Sequence, residues 1–346
     1  MLLGPFALSG CTPHDHGALH VGNGTEPQGL DPHTVTGVPE HRLDSTLFEG
    51  LTDLDPETLE PVPAVAESWT VSEDGRVYTF HLRANAMWSN GDPVTAHDFV
   101  YSWKRVLTPS LGAEYAYMLY CIKGAKAFNE GRLQDFGQVG VKALDDGALE
   151  VVLENPTPYF LSMQMYFTWY PVHQPAIERF GRMDERNTKW TRPGNLVGNG
   201  AFVLSRWIPN NIIEVVKNER YWNAANVRLK RILFYPIDNL LTEERSFRTG
   251  ILHLTENVPI TKVPAYRRDQ PEVLRTDPYL GTYFYSINVT RPPFTDVRVR
   301  RAFAMAVDRE SITRNVMTGG QRPARTFTVP DTAGYTCPTG SEAWVR

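Results

Sequence analysis

Within residues 77–107 the hydrophobic period changes from two to about 3.6, which confines the chain to mixed α/β architectures. Val77-Tyr78-Thr79-Phe80-His81-Leu82 alternates, placing Tyr78, Phe80 and Leu82 on one face as a half-buried strand does. Asn90-Gly91-Asp92-Pro93 then turns the chain. Thr95 with Asp98 three positions on forms a capping box, and Phe99, Trp103, Val106 and Leu107 recur at helical spacing until Pro109 stops the helix. Residues 149–153, 212–216 and 229–235 read as further strands. A second helix is predicted over residues 297–317, with Val299, Phe303, Ala306 and Val307 as its apolar stripe and Gly319-Gly320 at its end. Such a stripe needs a sheet to cover, and little sequence after Tyr285 could supply one.

A length of 346 residues with 42% hydrophobic residues allows two domains rather than one. The net charge of -4, from 35 basic and 39 acidic residues, supplies neither a basic stripe for nucleic acid nor a polybasic patch for anionic lipid. No apolar run reaches the roughly 20 residues of a membrane-spanning helix, since residues 1–8 are broken by Gly4 and Pro5. Leu8-Ser9-Gly10-Cys11 nevertheless ends a short apolar stretch as a bacterial lipoprotein signal does, with Cys11 as the residue to be lipidated. An N-terminus whose cysteine carries no meaning is the other reading. Residues 12–24 are poor in large apolar side chains and rich in His and Gly, and read as a tether. His14, His16 and His20 lie close together there, but no Cys or carboxylate cluster fixes a metal geometry, so no metal is expected. Cys121 and Cys337 fall in segments assigned to different domains and are expected to stay unpaired.

The motifs of the commoner enzymes are absent: no Gly-x-Ser-x-Gly elbow, His-Glu-x-x-His, Cys-x-x-Cys or Walker loop occurs. Gly198-Asn199-Gly200 is followed by the strand-like Ala201-Phe202-Val203-Leu204 and reads as a turn needing positive φ, not as a nucleotide loop. Asp98, Glu243 and Glu244 read as caps and solvated faces. No catalytic residue and no cofactor is expected. What the sequence holds in quantity is aromatic surface: 15 Tyr, 8 Trp and 16 Phe, clustered at residues 115–120, 166–170 and 279–285. Aromatic rings with a polar handle suit a cleft for an apolar or peptidic ligand, and equally a core.

Longer runs are more specific. Ala66-Glu67-Ser68-Trp69, Tyr78-Thr79-Phe80-His81-Leu82-Arg83, Trp88-Ser89-Asn90-Gly91-Asp92-Pro93-Val94-Thr95-Ala96 and Asp98-Phe99-Val100-Tyr101-Ser102-Trp103 closely resemble the signature of the oligopeptide-binding proteins that feed ABC importers. Leu47-Phe48-Glu49-Gly50-Leu51, Tyr221-Trp222-Asn223 and Pro292-Pro293-Phe294-Thr295-Asp296-Val297-Arg298 agree in order, so the likeness covers about residues 23–330.

The resemblance implies an α/β clamshell of the type II periplasmic-binding-protein kind with an extra domain, closing over an extended peptide held by its backbone. Its domains would be residues 23–50 with 175–276, residues 51–174, and a third domain, incomplete here, from 277 to 346; residues 1–22 would be signal and tether. It implies a carrier and not an enzyme, monomeric and outside the cytoplasm, whose partners are peptides and the subunits of an ABC permease, and which touches the membrane only through a lipid anchor. Dipeptides, murein peptides or nickel complexes are alternative cargoes, and a shortened product that binds nothing is a further alternative. Carried onto this sequence, the ligand strand is Thr36-Gly37-Val38, the second-domain tyrosine is Tyr115, and the third-domain aromatic run is Tyr279-Leu280-Gly281-Thr282-Tyr283-Phe284-Tyr285. Phe247 and Phe284 stand where some members have tyrosine, and Gly281 where some have cysteine. The aspartate that receives the peptide's amino group in the family has no counterpart in the shortened third domain.

Overall fold

The computed structural model describes residues 17–277, 279–330, 332, 335 and 336. Cys11, His14, His16 and Cys337 lie outside the described residues. The chain divides into two compact units between Asn257 and Val258.

Among its described residues the first unit holds ten strands: β1 (Ala18–Gly22), β2 (Thr52–Leu54), β3 (Pro61–Pro63), β4 (Ala66–Val71), β5 (Val77–Leu82), β6 (Val141–Asp145), β7 (Ala148–Val152), β8 (Phe202–Ile208), β9 (Ile212–Lys217) and β10 (Arg231–Tyr235). One sheet has the order β1-β10-β9-β8, with β1 parallel to β10 and the remaining pairs antiparallel. A second, wholly antiparallel sheet runs β4-β5-β7-β6, and β2 with β3 makes a short ribbon. Residues 18–22 are therefore strand and not tether. The edge of β10 accepts β1 in register, His20 opposite Leu233, and backbone pairing overrides a composition that looks flexible.

The local predictions for residues 77–107 hold. Tyr78, Phe80 and Leu82 are buried in β5 while their neighbours are not. Asp98 accepts from the Thr95 N–H at 2.7 Å and closes the capping box of helix α2 (Ala96–Leu107), while Phe99, Trp103, Val106 and Leu107 are wholly buried. Helix α1 (Val38–Leu47) begins after Gly37 and buries Glu40, Leu43, Asp44 and Leu47, one turn apart along one face. Around these helices four tryptophans, Trp88, Trp103, Trp169 and Trp190, are fully buried, and Trp103 donates to the Trp169 carbonyl at 3.0 Å.

Gly198 and Gly200 do not have positive φ, so the sequence-based reason for them is corrected. Their need is close approach. A Cβ on Gly198 would stand 2.1 Å from the Leu47 carbonyl oxygen, and one on Gly200 2.6 Å from the backbone of Leu47 and Phe48. The Gly200 N–H uses the proximity, donating to Leu47 O at 2.9 Å.

In the second unit the predicted helix of residues 297–317 is broken. It runs Val297–Ala306, and the Asp308 carboxylate then accepts from the Ser311 N–H at 2.8 Å to start a new short turn, Arg309–Ser311, which passes into wider helical turns over Ile312–Met317. An Asp offers the backbone a competing acceptor, which is why it favours a cap over a helix interior. Within the unit no sheet is there to cover the stripe, since no strand occurs among its described residues, and Phe303 is 56% exposed.

Gly200→Ala is expected to lower stability by about 1–3 kcal/mol, because backbone atoms and not a movable side chain meet the new methyl. Gly29→Ala, whose nearest contact would be an ordinary 3.6 Å, should stay within about 0.5 kcal/mol of the parent in the same urea titration.

Candidate functional site

The segment that precedes α1 is fixed from below by a buried ion pair. Arg105, on α2 and without solvent exposure, donates to both Asp31 oxygens at 2.8 and 2.6 Å and to the Met183 carbonyl at 2.6 Å. Burial alone would raise the Asp31 pKa, but the guanidinium outweighs it and holds the carboxyl below its usual range. Arg105 also donates to His33 Nδ1 at 2.9 Å, so the proton of His33 sits on Nε2, which donates to the Tyr170 carbonyl at 2.9 Å. Burial, with the Arg105 charge adding to it, pushes the His33 pKa down to about 4.

Three residues beyond His33 the chain reaches Thr36 and Gly37, which are half-buried. Gly37 is extended (φ -87°, ψ 157°) and its carbonyl accepts the first bond of α1, from the His41 N–H at 3.0 Å. The Tyr115 hydroxyl donates to the Thr36 carbonyl at 3.1 Å. Val38, expected in a strand, is instead the first helical residue and is 52% exposed; the following Pro39 suits the start of a helix, where its missing N–H costs nothing. Thr36, Gly37, Val38 and Tyr115 thus share one surface. The aromatic clusters at 115–120 and 166–170 meet there, with Tyr115 5.6 Å from Tyr166 and 6.0 Å from Phe167 between ring centres.

The other residues carried over from the resemblance are Phe247, Tyr279 and Phe284. Phe247 is half-buried on the helix Leu240–Arg248, and among the described residues it shares no ring pair with Tyr115. Tyr279 and Phe284 belong to the second unit, where Tyr279 is 83% exposed and the Phe284 ring lies 5.0 Å from that of Phe327.

Sequence reasoning missed two enclosed acids, Glu49, which is half-buried, and Glu243, and misread a third, Glu244. Glu49 accepts from the Tyr221 hydroxyl and, at 2.6 Å, from Trp222 Nε1, and its own backbone is bridged both ways by the Asn199 amide at 2.9 and 3.0 Å. Burial pushes its pKa up to about 7 against these donors. Glu243, read from sequence as a solvated face, is fully buried; burial raises its pKa to about 7, and it accepts from the Glu256 N–H at 3.1 Å. Glu244 is buried too and pairs with Arg248 at 3.6 Å. No local signal distinguishes either acid from a surface one, since their burial is decided by remote segments. The one available hint for Glu49 was Tyr221-Trp222, two adjacent aromatic donors in need of an acceptor.

These acids are structural acceptors, and no group of three His, Cys, Asp or Glu arranged to hold a metal occurs among the described residues. The described helices include none long and apolar enough to cross a membrane. The arrangement offers an immobilised backbone segment flanked by aromatic rings, which is suited to holding a ligand.

Residues 60–343 match the model of the bacterial extracellular solute-binding proteins, family 5. The chain is 42% identical over 331 residues to the periplasmic oligopeptide-binding protein OppA of Escherichia coli, covering 94% of this chain and 59% of that one. The structure of the Escherichia coli murein tripeptide-binding protein MppA superposes with a TM-score of 0.88 at 38% identity, covering 94% of this chain and 63% of that one. Haemophilus influenzae OppA in complex with the peptide RPPGFSPFR superposes with a TM-score of 0.82 at 36% identity, over 91% and 60% of the two chains. The chain therefore spans about three-fifths of the length of these relatives.

Arg105→Leu should cost about 3–5 kcal/mol in denaturant titration, because it leaves the Asp31 charge buried without its partner. Glu49→Gln tests the raised acid. The folded pKa of about 7 exceeds the ordinary 4.5, so ionising Glu49 disfavours the fold and its contribution falls as pH rises between these values. The stability of Glu49→Gln relative to the parent is expected to be higher at pH 8 than at pH 5.

Proposed function

The chain belongs to the family 5 bacterial extracellular solute-binding proteins, with the fold of the type II periplasmic binding proteins, and from this we propose that it captures peptides outside the cytoplasm for an ABC permease. It acts by holding the backbone of an extended peptide, and carries no chemistry out on it. The observation that carries this reading is the backbone at Thr36 and Gly37, half-buried just before α1, extended at Gly37 and held by the Tyr115 hydroxyl at the Thr36 carbonyl. Main-chain pairing gives affinity that does not depend on the peptide's sequence, and neighbouring pockets then set preference. The naming of relatives for oligopeptides and murein peptides supports the ligand class.

The lobes are proposed as residues 23–50 with 175–276 and residues 51–174, with a third lobe from 277. The sheet β1-β10-β9-β8 would belong to the first of these and β4-β5-β7-β6 to the second, which adds residues 18–22 to the first lobe. Phe247, Tyr279 and Phe284 are proposed as further peptide contacts, Cys11 as a lipid attachment point, and the permease subunits as the macromolecular partners of a monomer.

Calorimetric titration of the folded chain with a mixed pool of tri- to pentapeptides should show saturable binding; a folded chain that gives no heat across the pool would sink the proposal. Tyr115→Phe removes one neutral hydrogen bond within the chain, so stability is expected to fall by about 1 kcal/mol in urea titration, and peptide affinity to fall in the calorimetric one because the Thr36 carbonyl loses the contact that positions it.

A further inference from the structure

We infer that the rings beside Thr36 and Gly37 form a subsite for an aromatic side chain of the bound peptide; this deepens, and rests on, the peptide-binding reading. The rings form one connected series. Tyr166 and Phe167 stack at 4.4 Å, and His41 lies 5.6 Å from Tyr166 and nearly parallel to it, at 19°. Tyr115 meets Tyr166 edge to face at 5.6 Å, and Tyr117 meets Tyr115 edge to face at 6.1 Å and 83°. The series starts in the core, where Phe167 is fully buried, and ends at Tyr117, which is 58% exposed.

Three features make this a receiving surface and not a stray exposed tyrosine. It is anchored, because Phe167 is part of the core and the Tyr115 hydroxyl is held by the Thr36 carbonyl, so a ligand ring would order little that is not already ordered. Its imidazole is disfavoured from taking a charge, since burial and the nearby Arg42 charge lower the His41 pKa. It touches the backbone segment assigned to the peptide at one point, where the Tyr115 hydroxyl meets the Thr36 carbonyl, and Tyr117 packs against that same Tyr115 ring. Aromatic rings prefer edge-to-face or offset contacts at about 4.5–7 Å, the spacing already used within the series, and an exposed Tyr117 offers the next such contact. An aliphatic side chain gains burial there but not the ring-to-ring component.

The test is a tetra-alanine peptide series with single Phe guests, titrated calorimetrically into the parent chain, Tyr117→Ser and Tyr117→Phe. At one position Phe should bind about tenfold tighter than Ala, with Leu in between. That ratio should collapse in Tyr117→Ser and survive in Tyr117→Phe, with circular dichroism establishing that each variant is folded. If Ala peptides bind but the Phe-to-Ala ratio is near one, or is unchanged by Tyr117→Ser, the subsite is wrong and peptide binding stands. If no peptide of the series binds a folded parent chain, both readings fall together.

Discussion

The bidentate contact between Arg105 and Asp31 is the interaction on which the rest of the candidate site depends. A guanidinium with no solvent exposure is tolerable only when its donors are matched, and here they are met by Asp31, His33 and the Met183 carbonyl. These acceptors come from separate stretches of chain, while the donor sits on a helix whose other buried residues form the core. The pair therefore converts the rigidity of α2 into rigidity of the loop at residues 31–33. Thr36 and Gly37 follow within one turn's length, so their backbone is presented by a fixed support and not by a free loop.

Helix α1 is held at its other end by equally specific means. Leu47 and Phe48 run against Gly198 and Gly200 at a distance no side chain would permit, and the Asn199 amide closes both backbone hydrogen bonds of Glu49. The Glu49 carboxyl then gathers Tyr221 and Trp222, and Arg83 covers the Trp222 ring at 3.8 Å. Both ends of α1 are thus set by contacts distant in sequence, and a ligand meeting its first residues meets a surface whose ordering cost was met during folding. Tyr115 completes that surface from a segment placed by the core beneath it.

What could be read in the sequence was what local physics decides. Thr95 and Asp98 cap the same helix in any context, and Tyr78, Phe80 and Leu82 face one way wherever β5 goes. Thr36, Gly37 and Tyr115 were reached only through family resemblance, because an extended dipeptide and a lone tyrosine carry no pattern of their own. β1 was missed because a parallel edge strand takes its stability from β10, more than 200 residues away, and not from its own composition. Glu243 was misread for the same reason: Gly22 leaves it room, since a Cβ there would overlap its carboxylate, and only the folded chain brings the two together. The break at Asp308 lies between these cases. The apolar stripe argued for continuity, the capping side chain argued against it, and no sheet covers the stripe among the second unit's described residues to favour continuity.

The buried titratable groups oppose one another in a way that bears on where such a chain can work. His33 is held neutral in the fold, so acidification from about 6.5 towards 4 protonates the unfolded chain first and removes stability. Glu49 and Glu243 have the opposite sign: with folded values near 7, they gain protons in the fold before they do so in the unfolded chain, and acidification towards 4.5 adds stability. The windows overlap, but two glutamates act against one histidine, so among these three groups acidification through the mildly acid range adds stability on balance. Asp31 joins the balance only below the ordinary carboxylate range, where loss of its charge would release Arg105. His33 thus limits the gain that Glu49 and Glu243 bring on acidification, and a fold resting on His33 alone would weaken over the range in which this one holds.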